Sequence, residues 1–174
     1  MVGVVNTGLH AYLRELPLFA YLATSEIEML TPLARLLEGE AGVSLLKEGE
    51  PVRSIYFLLS GEAEVVKEDR SGSRQVIATV GKGALLGEMA LVEDAPASAT
   101  VVALTNFKAL AFDRQAFNLL LEGCPGIGQK ILRQIARLLS QRLRTTSAQL
   151  AEHKAASKNT SRAGPAIPAG DSGA

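Results

Sequence analysis

The sequence has few of the residues on which disulfides, metal sites and nucleophilic catalysis depend. It contains one cysteine, Cys124, and two histidines, His10 and His153, near opposite ends of the 174-residue chain. A single cysteine excludes an internal disulfide, and a catalytic metal needs a cluster of His, Cys or carboxylate ligands. Neither Ser60 nor Ser98 has a neighbouring histidine to act as its base. We therefore predict no enzyme, no metal site and no bound cofactor.

Aromatic residues and long apolar runs are also scarce. Tryptophan is absent and 5% of the residues are aromatic, so the core must consist mainly of Leu, Val, Ile and Ala. No run approaches the roughly 18 apolar residues of a membrane-spanning helix. The first 16 residues lack the charged start and apolar centre of a signal peptide. With 47% hydrophobic and 21% charged residues, the chain is expected to be largely globular, soluble and cytoplasmic.

The net charge is zero but unevenly distributed. Residues 1–112 contain 9 basic and 14 acidic residues, whereas residues 113–174 contain 9 basic and 4 acidic ones. A stretch without acids holds five of the basic residues: Lys130, Arg133, Arg137, Arg142 and Arg144. Such a stretch fits either a nucleic-acid contact or a solvated helix face. The solvated face is the simpler interpretation, and we do not expect direct, specific DNA binding.

Helical patterns come first along the chain. Residues 9–16 favour a short helix, which we assign to an N-terminal helical lead over residues 1–16. A second helix is predicted to begin at Ser25, because Ser25 and Glu28 have capping-box spacing, and to end near residue 39. Its apolar stripe at helical spacing comprises Ile27, Leu30, Leu33, Ala34 and Leu37.

Short β-rich runs replace this pattern between residues 40 and 112. The predicted strands are residues 43–46, 54–59, 62–67, 75–80, 99–104 and 107–112, separated by glycine-containing turns such as those at Gly49 and Gly61. Many short strands at near-regular spacing favour a compact antiparallel barrel or roll. The predicted fold class is therefore α+β, with a jelly-roll-like β-roll flanked by N-terminal helices and a long C-terminal helix.

The C-terminal third is predicted to contain two helices and a polar tail. Asp113 is a suitable N-cap for the first helix, and the second is predicted over residues 127–153. Residues 17–153 then form the main domain. Residues 154–174, rich in Ala, Gly, Pro and Ser, are predicted to be disordered.

The long helix has two apolar faces. Spacings of four and three residues place an a/d seam on one face: Leu132, Ala136, Leu139, Leu143, Thr146 and Leu150. Ile131, Ile135 and Leu138 form a second stripe, which we expect to pack on the roll. The seam then favours a homodimer through residues 127–153, although packing within one chain is the alternative.

Residues 83–103, GALLGEMALVEDAPASATVVA, contain a pattern suited to a phosphorylated sugar. A glycine, Gly87, before a short helical turn lets backbone N–H groups converge on an anion. Glu88 beside them would repel phosphate, but a carboxylate can accept hydrogen bonds from a sugar hydroxyl, as acidic residues do for ribose in dinucleotide-binding folds.

Three segments resemble the cyclic nucleotide-binding domain family, which includes the catabolite activator protein, kinase regulatory subunits and cyclic-nucleotide-gated channels. They are LPLFAYLATSEIEMLTPLA, LLKEGEPVRSIYFLLSGEAEVVKE and GKGALLGEMALVEDAPASATVVAL. The third is similar to the family's phosphate-binding cassette, which typically reads G-E-x-A-L followed by P-R-[AS]-[AS]-T. The resemblance covers about residues 17–150. It implies a stand-alone sensor domain, because too few residues follow His153 for the helix-turn-helix of the activator proteins.

The resemblance also implies which residues bind a ligand such as cAMP or cGMP. Glu88 would accept the ribose 2′-hydroxyl, and Ser98 with the Ala99 amide would approach the cyclic phosphate. The implied set is Gly87, Glu88, Met89, Ala90, Leu91, Ala97, Ser98 and Ala99. Thr145, Thr146 and Ser147 are candidate contacts for the base.

Ala97 departs from the family pattern. The family usually has an arginine there, which pairs with the cyclic phosphate, and residues 92–100 contain no Lys or Arg. A hydrogen bond to a charged group contributes roughly 1.5–3 kcal/mol, so its loss should weaken binding about ten- to a hundredfold. Two functions are therefore open: a ligand sensor that signals through its C-terminal helix to a protein effector, or a degenerate domain for dimerisation or protein docking.

Overall fold

A computed structural model describes residues 3–5, 8–69 and 71–162, with side chains described for residues 8–69, 71–148 and 150–152. The chain divides into two compact units, residues 1–135 and 136–174. The first unit contains the β-sheets and the shorter helices.

Two antiparallel sheets form the predicted β-roll. One sheet has the strand order β1-β2-β9-β4-β7, and the other has the order β3-β8-β5-β6. Their bounds are β1 Gly3–Val5, β2 Ala34–Gly39, β3 Ser44–Leu46, β4 Ser54–Ser60, β5 Ala63–Glu68, β6 Arg74–Val80, β7 Leu85–Leu86, β8 Thr100–Ala103 and β9 Phe107–Asp113. The α+β fold class is confirmed, and the six predicted strands agree with β3, β4, β5, β6, β8 and β9 to within one or two residues.

Much of the core is formed by β4 and β9, which are neighbours in the larger sheet. β4 and β9 pair with each other over most of their length, and β9 is buried continuously from Ala109 to Phe112. Four of the five phenylalanines form one cluster, with ring centroids 5.2–5.9 Å apart: Phe19, Phe57, Phe112 and Phe117. Because aromatic residues are few, this cluster concentrates most of the large apolar surface at one place.

The described residues contain four α-helices: α1 Leu9–Glu15, α2 Thr24–Leu30, α3 Arg114–Gly123 and α4 Pro125–Arg162. Short 3₁₀ turns occupy Pro17–Phe19, Thr31–Leu33 and Glu88–Leu91. The Asp113 carboxylate accepts a hydrogen bond from the Ala116 amide at 2.9 Å, so the predicted N-cap is confirmed. None of the described helices combines the length and the apolar character needed to cross a membrane.

The helix predicted over residues 25–39 was too long. α2 ends at Leu30, because Pro32 has no N–H to continue the helical hydrogen bonds. Ala34–Gly39 instead forms β2, which pairs with both β1 and β9. The predicted capping pair was also wrong: the Ala23 amide donates to Glu26, at 2.7 Å from Oε2, and Glu28 is exposed.

Both ends of the chain differ from their predicted organisation. The N-terminal lead is not wholly helical, since Gly3–Val5 is a strand paired with β2 and the helix begins at Leu9. At the other end α4 extends to Arg162. The prediction of disorder is therefore wrong for residues 154–162, and residues 163–174 lie outside the described part of the chain.

Candidate functional site

Gly87 begins the candidate loop, between β7 and the 3₁₀ turn Glu88–Leu91. Its φ angle is +81°, a region that residues with a Cβ rarely adopt. A Cβ on Gly87 would also lie 3.2 Å from Val52 Cγ1 and 3.4 Å from the Ser54 carbonyl oxygen. Glycine is therefore favoured here by its backbone conformation, and a Cβ would also require the Val52 methyl group to shift by a few tenths of an ångström. The left-handed Gly87 precedes the first amides of the 3₁₀ turn, which are the candidate donors to an anion.

Glu88 follows at the start of this turn. Among the described side chains it is the one polar or charged residue that is buried, with 7% of its surface exposed. A buried carboxylate needs hydrogen-bond donors, and Glu88 does have an interaction partner in the structure. A ligand hydroxyl that binds Glu88 would therefore add a hydrogen bond to this carboxylate or displace its present partner.

The second half of the loop is fixed to the turn at residues 48–50. The Ala97 amide donates to the Glu50 carbonyl at 2.9 Å, and the Gly49 amide donates to the Ala97 carbonyl at 2.9 Å. The Thr100 hydroxyl accepts from the Glu48 amide at 3.0 Å. The N–H and the C=O of Ala97 are therefore both hydrogen-bonded within the chain. A ligand in this loop would bind the residues beside Ala97 instead.

Side chains alternate along residues 97–99. Ala97 and Ala99 are buried and Ser98 between them is exposed. Ala97 packs with Val52, Ala90 and Leu46 in one apolar cluster. An arginine at position 97 would need its stem to leave this cluster before the guanidinium could reach solvent or a phosphate.

The structure brings the two predicted halves of the loop together. The Ser98 hydroxyl lies 3.5 Å from the Met89 sulfur, and Ala97 and Ala90 belong to one buried apolar cluster. The roll beside the loop is apolar, with Ala63, Leu86 and Val101 buried and Leu46 and Tyr56 partly buried around them. The loop and this surface together offer backbone amides, one carboxylate, one hydroxyl and an apolar wall.

Arg114 is a residue of this region that the sequence analysis missed. Its Nε donates to the Ala90 carbonyl and its Nη2 donates to Asp94 Oδ1, both at 2.7 Å. These partners lie 24 and 20 positions earlier in the chain. No local pattern relates residues so far apart, and the sequence signal at this position is the N-cap Asp113 alone.

The long helix carries the remaining predicted residues. Ile131 and Ile135 of the second stripe are buried, whereas the seam residues Leu132, Leu143 and Leu150 are 44%, 68% and 55% exposed. Thr145, Thr146 and Ser147 are exposed, and the Thr145 hydroxyl donates to the Gln141 carbonyl at 3.2 Å. Both the dimer seam and the base contacts stay predictions.

No group of three His, Cys, Asp or Glu residues in the described part of the chain is placed to hold a metal ion.

Comparison with known proteins identifies the family of the domain. A sequence model described as the cyclic nucleotide-binding domain matches residues 37–124, which is half of the chain. The chain belongs to the cyclic nucleotide-binding domain family. The match begins within β2 and ends directly after α3, so the candidate loop lies inside it and α4 beyond it.

Relatives of this family member include two kinds of regulator. The cAMP-dependent protein kinase regulatory subunit of Colletotrichum orbiculare is 34% identical over 67% of this chain and 29% of its own length. The CRP-like cAMP-activated global transcriptional regulator of Mycobacterium tuberculosis is 26% identical over 78% of this chain and 58% of its own. The chain thus spans less than two thirds of either relative.

A solved structure matches more completely. A cyclic nucleotide-binding domain from Methylobacillus flagellatus is 26% identical, with a TM-score of 0.75, over 87% of this chain and 89% of that one. The roll and its flanking helices are therefore the architecture of the family.

Proposed function

We propose that this domain is a regulatory sensor that holds a small phosphorylated ligand, such as cAMP or cGMP, in the loop between Gly87 and Ala99. The observation that carries the proposal is the left-handed Gly87 followed at once by the buried Glu88. It puts the first amides of a 3₁₀ turn and a carboxylate next to each other, which suits a cyclic phosphate joined to a ribose. The names of the fungal and mycobacterial relatives, both referring to cAMP, support the same ligand class.

Each part of the loop has a proposed role in this complex. Glu88 accepts the ribose 2′-hydroxyl, and the Ser98 hydroxyl and Ala99 amide donate to the phosphate. The Ala97 amide takes no part, because it already donates to Glu50. The apolar surface around Leu86 receives the base. Thr145, Thr146 and Ser147 stay candidate readers of the base that the resemblance alone implies.

Affinity is expected to be lower than in family members with the arginine. Ala97 supplies no charge, and the acidic residues Glu93 and Asp94 of the same loop oppose a phosphate. One lost charge-assisted hydrogen bond corresponds to a weakening of about ten- to a hundredfold.

Signalling requires that the ligand bind two arrangements of the domain with different affinity. α3 begins directly after β9 and contacts the loop through Arg114, so movement of the loop would be transmitted to α3 and the helix that follows. The proposed functional unit is residues 17–153, acting as a homodimer through residues 127–153 on a protein effector.

The alternative is a degenerate domain that dimerises or docks on a protein without binding nucleotide. The apolar cluster around Ala97 favours it, because the position where the family usually has an arginine is buried with Val52, Ala90 and Leu46. The exposed leucines of α4 favour a binding surface of this kind as well.

Calorimetric titration of the purified protein with cAMP and cGMP, at low and physiological salt, separates the two functions. Micromolar or tighter binding supports the sensor. A folded protein that gives no heat up to millimolar nucleotide is the degenerate domain.

The Ala97→Arg variant then tests the phosphate site directly. We expect it to bind nucleotide about ten- to a hundredfold more tightly than the natural chain, with a steeper dependence on salt. Ala97→Gln is the matched control, because it adds a long side chain without a charge. Equal affinity of the Arg and Gln variants would show that the loop does not hold a phosphate.

A further inference from the structure

Arg114 is the first residue of α3 and joins three separate parts of the domain. Its backbone amide donates to the Arg53 carbonyl at 2.9 Å, immediately before β4. Its side chain donates to the Ala90 carbonyl, within the turn Glu88–Leu91, and to Asp94 just after that turn. The start of β4, the start of α3 and the candidate loop therefore meet at one residue.

The two side-chain contacts of Arg114 differ in strength. The Arg114 side chain is 21% exposed, whereas that of Asp94 is 95% exposed. An ion pair with so exposed a partner contributes little, because water and salt screen it. The contact with the Ala90 carbonyl is partly buried and charge-assisted. It also satisfies a carbonyl near the C-terminal end of the turn, where a cation is favourable.

The Ala90 contact acts on the residues proposed to bind the ligand. Ala90 lies in one buried apolar cluster with Ala97 and Val52, and its amide donates to the Gly87 carbonyl at 3.2 Å. The Ala90 carbonyl accepts a hydrogen bond from Arg114, and the Ala90 side chain lies in a cluster with Ala97, from the opposite half of the loop. A change in the position of Ala90 would therefore alter both halves.

We propose that Arg114 is a positioning residue, whose bond to the Ala90 carbonyl holds the binding loop in place and links it to α3. Asp94 accepts a hydrogen bond from the guanidinium on its solvent-exposed side and contributes little to the stability of the loop. The effect on ligand affinity rests on the proposed function. The effect on the loop does not, and it can be measured without ligand.

Hydrogen exchange on the complete, ligand-free chain tests the loop. In Arg114→Ala, we expect amides of residues 88–94 to exchange roughly tenfold faster, the effect of one lost charge-assisted bond, while the paired strands β4 and β9 keep their rates. Asp94→Ala, the matched control, keeps the Ala90 contact and should change those rates less than about threefold. Arg114→Lys, which keeps a charged donor, should recover part of the protection.

Three results would overturn the proposal: unchanged exchange at residues 88–94, an equal increase in β4 and β9, or an Arg114→Ala chain that does not fold. Unchanged exchange would mean that Arg114 does not stabilise the loop. An equal increase or a failure to fold would mean that it stabilises the whole domain and not the loop in particular. Calorimetry with cAMP adds the functional readout, for which we expect about tenfold weaker binding by Arg114→Ala than by Asp94→Ala. If the natural chain binds no nucleotide, the proposed ligand fails, and the exchange rates still decide whether Arg114 positions the loop.

Discussion

At the scale of single residues, Gly61 and Gly72 have the same backbone conformation but different surroundings. Their φ angles are +88° and +80°. A Cβ on Gly61 would lie 2.6 Å from the Asn106 carbonyl oxygen and 2.9 Å from the Phe107 Cα, whereas a Cβ on Gly72 would meet nothing within 4 Å. The pair therefore separates the effect of backbone conformation from that of close packing.

Alanine substitution at the two glycines should destabilise the domain unequally. Gly72→Ala should lower the free energy of unfolding by roughly 1–2 kcal/mol, the penalty of a left-handed residue with a Cβ. Gly61→Ala should lower it by a further ~1–3 kcal/mol, because the new methyl group meets backbone atoms that cannot move aside easily. Urea denaturation of both variants measures the difference. Equal losses would contradict the close approach at Gly61.

At the scale of secondary-structure elements, α2 and the start of α4 are joined by an ion pair. Lys130 Nζ lies 2.8 Å from Glu26 Oε1 and 2.7 Å from Oε2. The same carboxylate accepts the Ala23 amide that begins α2. The hydrogen bond from Lys130, and next that from Ala23, lowers the pKa of Glu26 below its ordinary value of 4.5. Lys130, assigned by sequence to a solvated basic face, thus has a structural partner.

This pair makes stability depend on pH. Because the pKa of Glu26 is lower in the folded state, its contribution is fully present above about pH 4.5 and is lost as the pH falls through the folded value. Glu26→Gln should therefore lower the urea midpoint at neutral pH, and the difference from the natural chain should shrink as the pH falls below 4.5. Glu28→Gln, an exposed position on the same helix, is the control. A difference that stays constant with pH would contradict the ion pair.

At the scale of the whole molecule, α4 carries leucines that the described chain leaves exposed. Leu143 is 68% and Leu150 is 55% exposed, and both lie on the a/d seam. A regular seam of this kind is usually covered by a partner helix. We therefore expect the protein to be a dimer in solution.

Sedimentation analysis of a seam variant tests the dimer. We expect the natural chain to sediment as a dimer at micromolar concentration and Leu143→Asp as a monomer, because the seam cannot bury a carboxylate without a partner. Gln141→Asp, on the opposite side of the helix by its 3.6-residue period, carries the same substitution and should remain dimeric. A dimer that Leu143→Asp leaves intact would show that the seam is not the interface.

The secondary-structure predictions that held rest on local patterns with one interpretation, and those that failed rest on local patterns that fit more than one. β4 and β9 were found because their apolar runs are bounded by turn residues, and Asp113 because an N-cap bonds three residues ahead. β2 was missed because its apolar residues continue the spacing of α2, and Pro32 was the available sign that the helix stops. Capping-box spacing likewise fits two pairs of residues, Ser25 with Glu28 and Ala23 with Glu26. The first pair was predicted because serine is a common N-cap and alanine is not.

The amino-acid sequence by itself determined the β-roll, its family and the position of the candidate loop, because alternation, glycine turns and the G-E-x-A-L pattern act over a few residues. By resemblance it also predicts that Ala97 takes the place of an arginine. Only the tertiary structure decided that Ala97 lies in a buried apolar cluster, that Lys130 pairs with Glu26 and that Arg114 donates to the Ala90 carbonyl. Each of these contacts joins parts of the chain that are distant in sequence, and they meet only when the sheets and helices have packed.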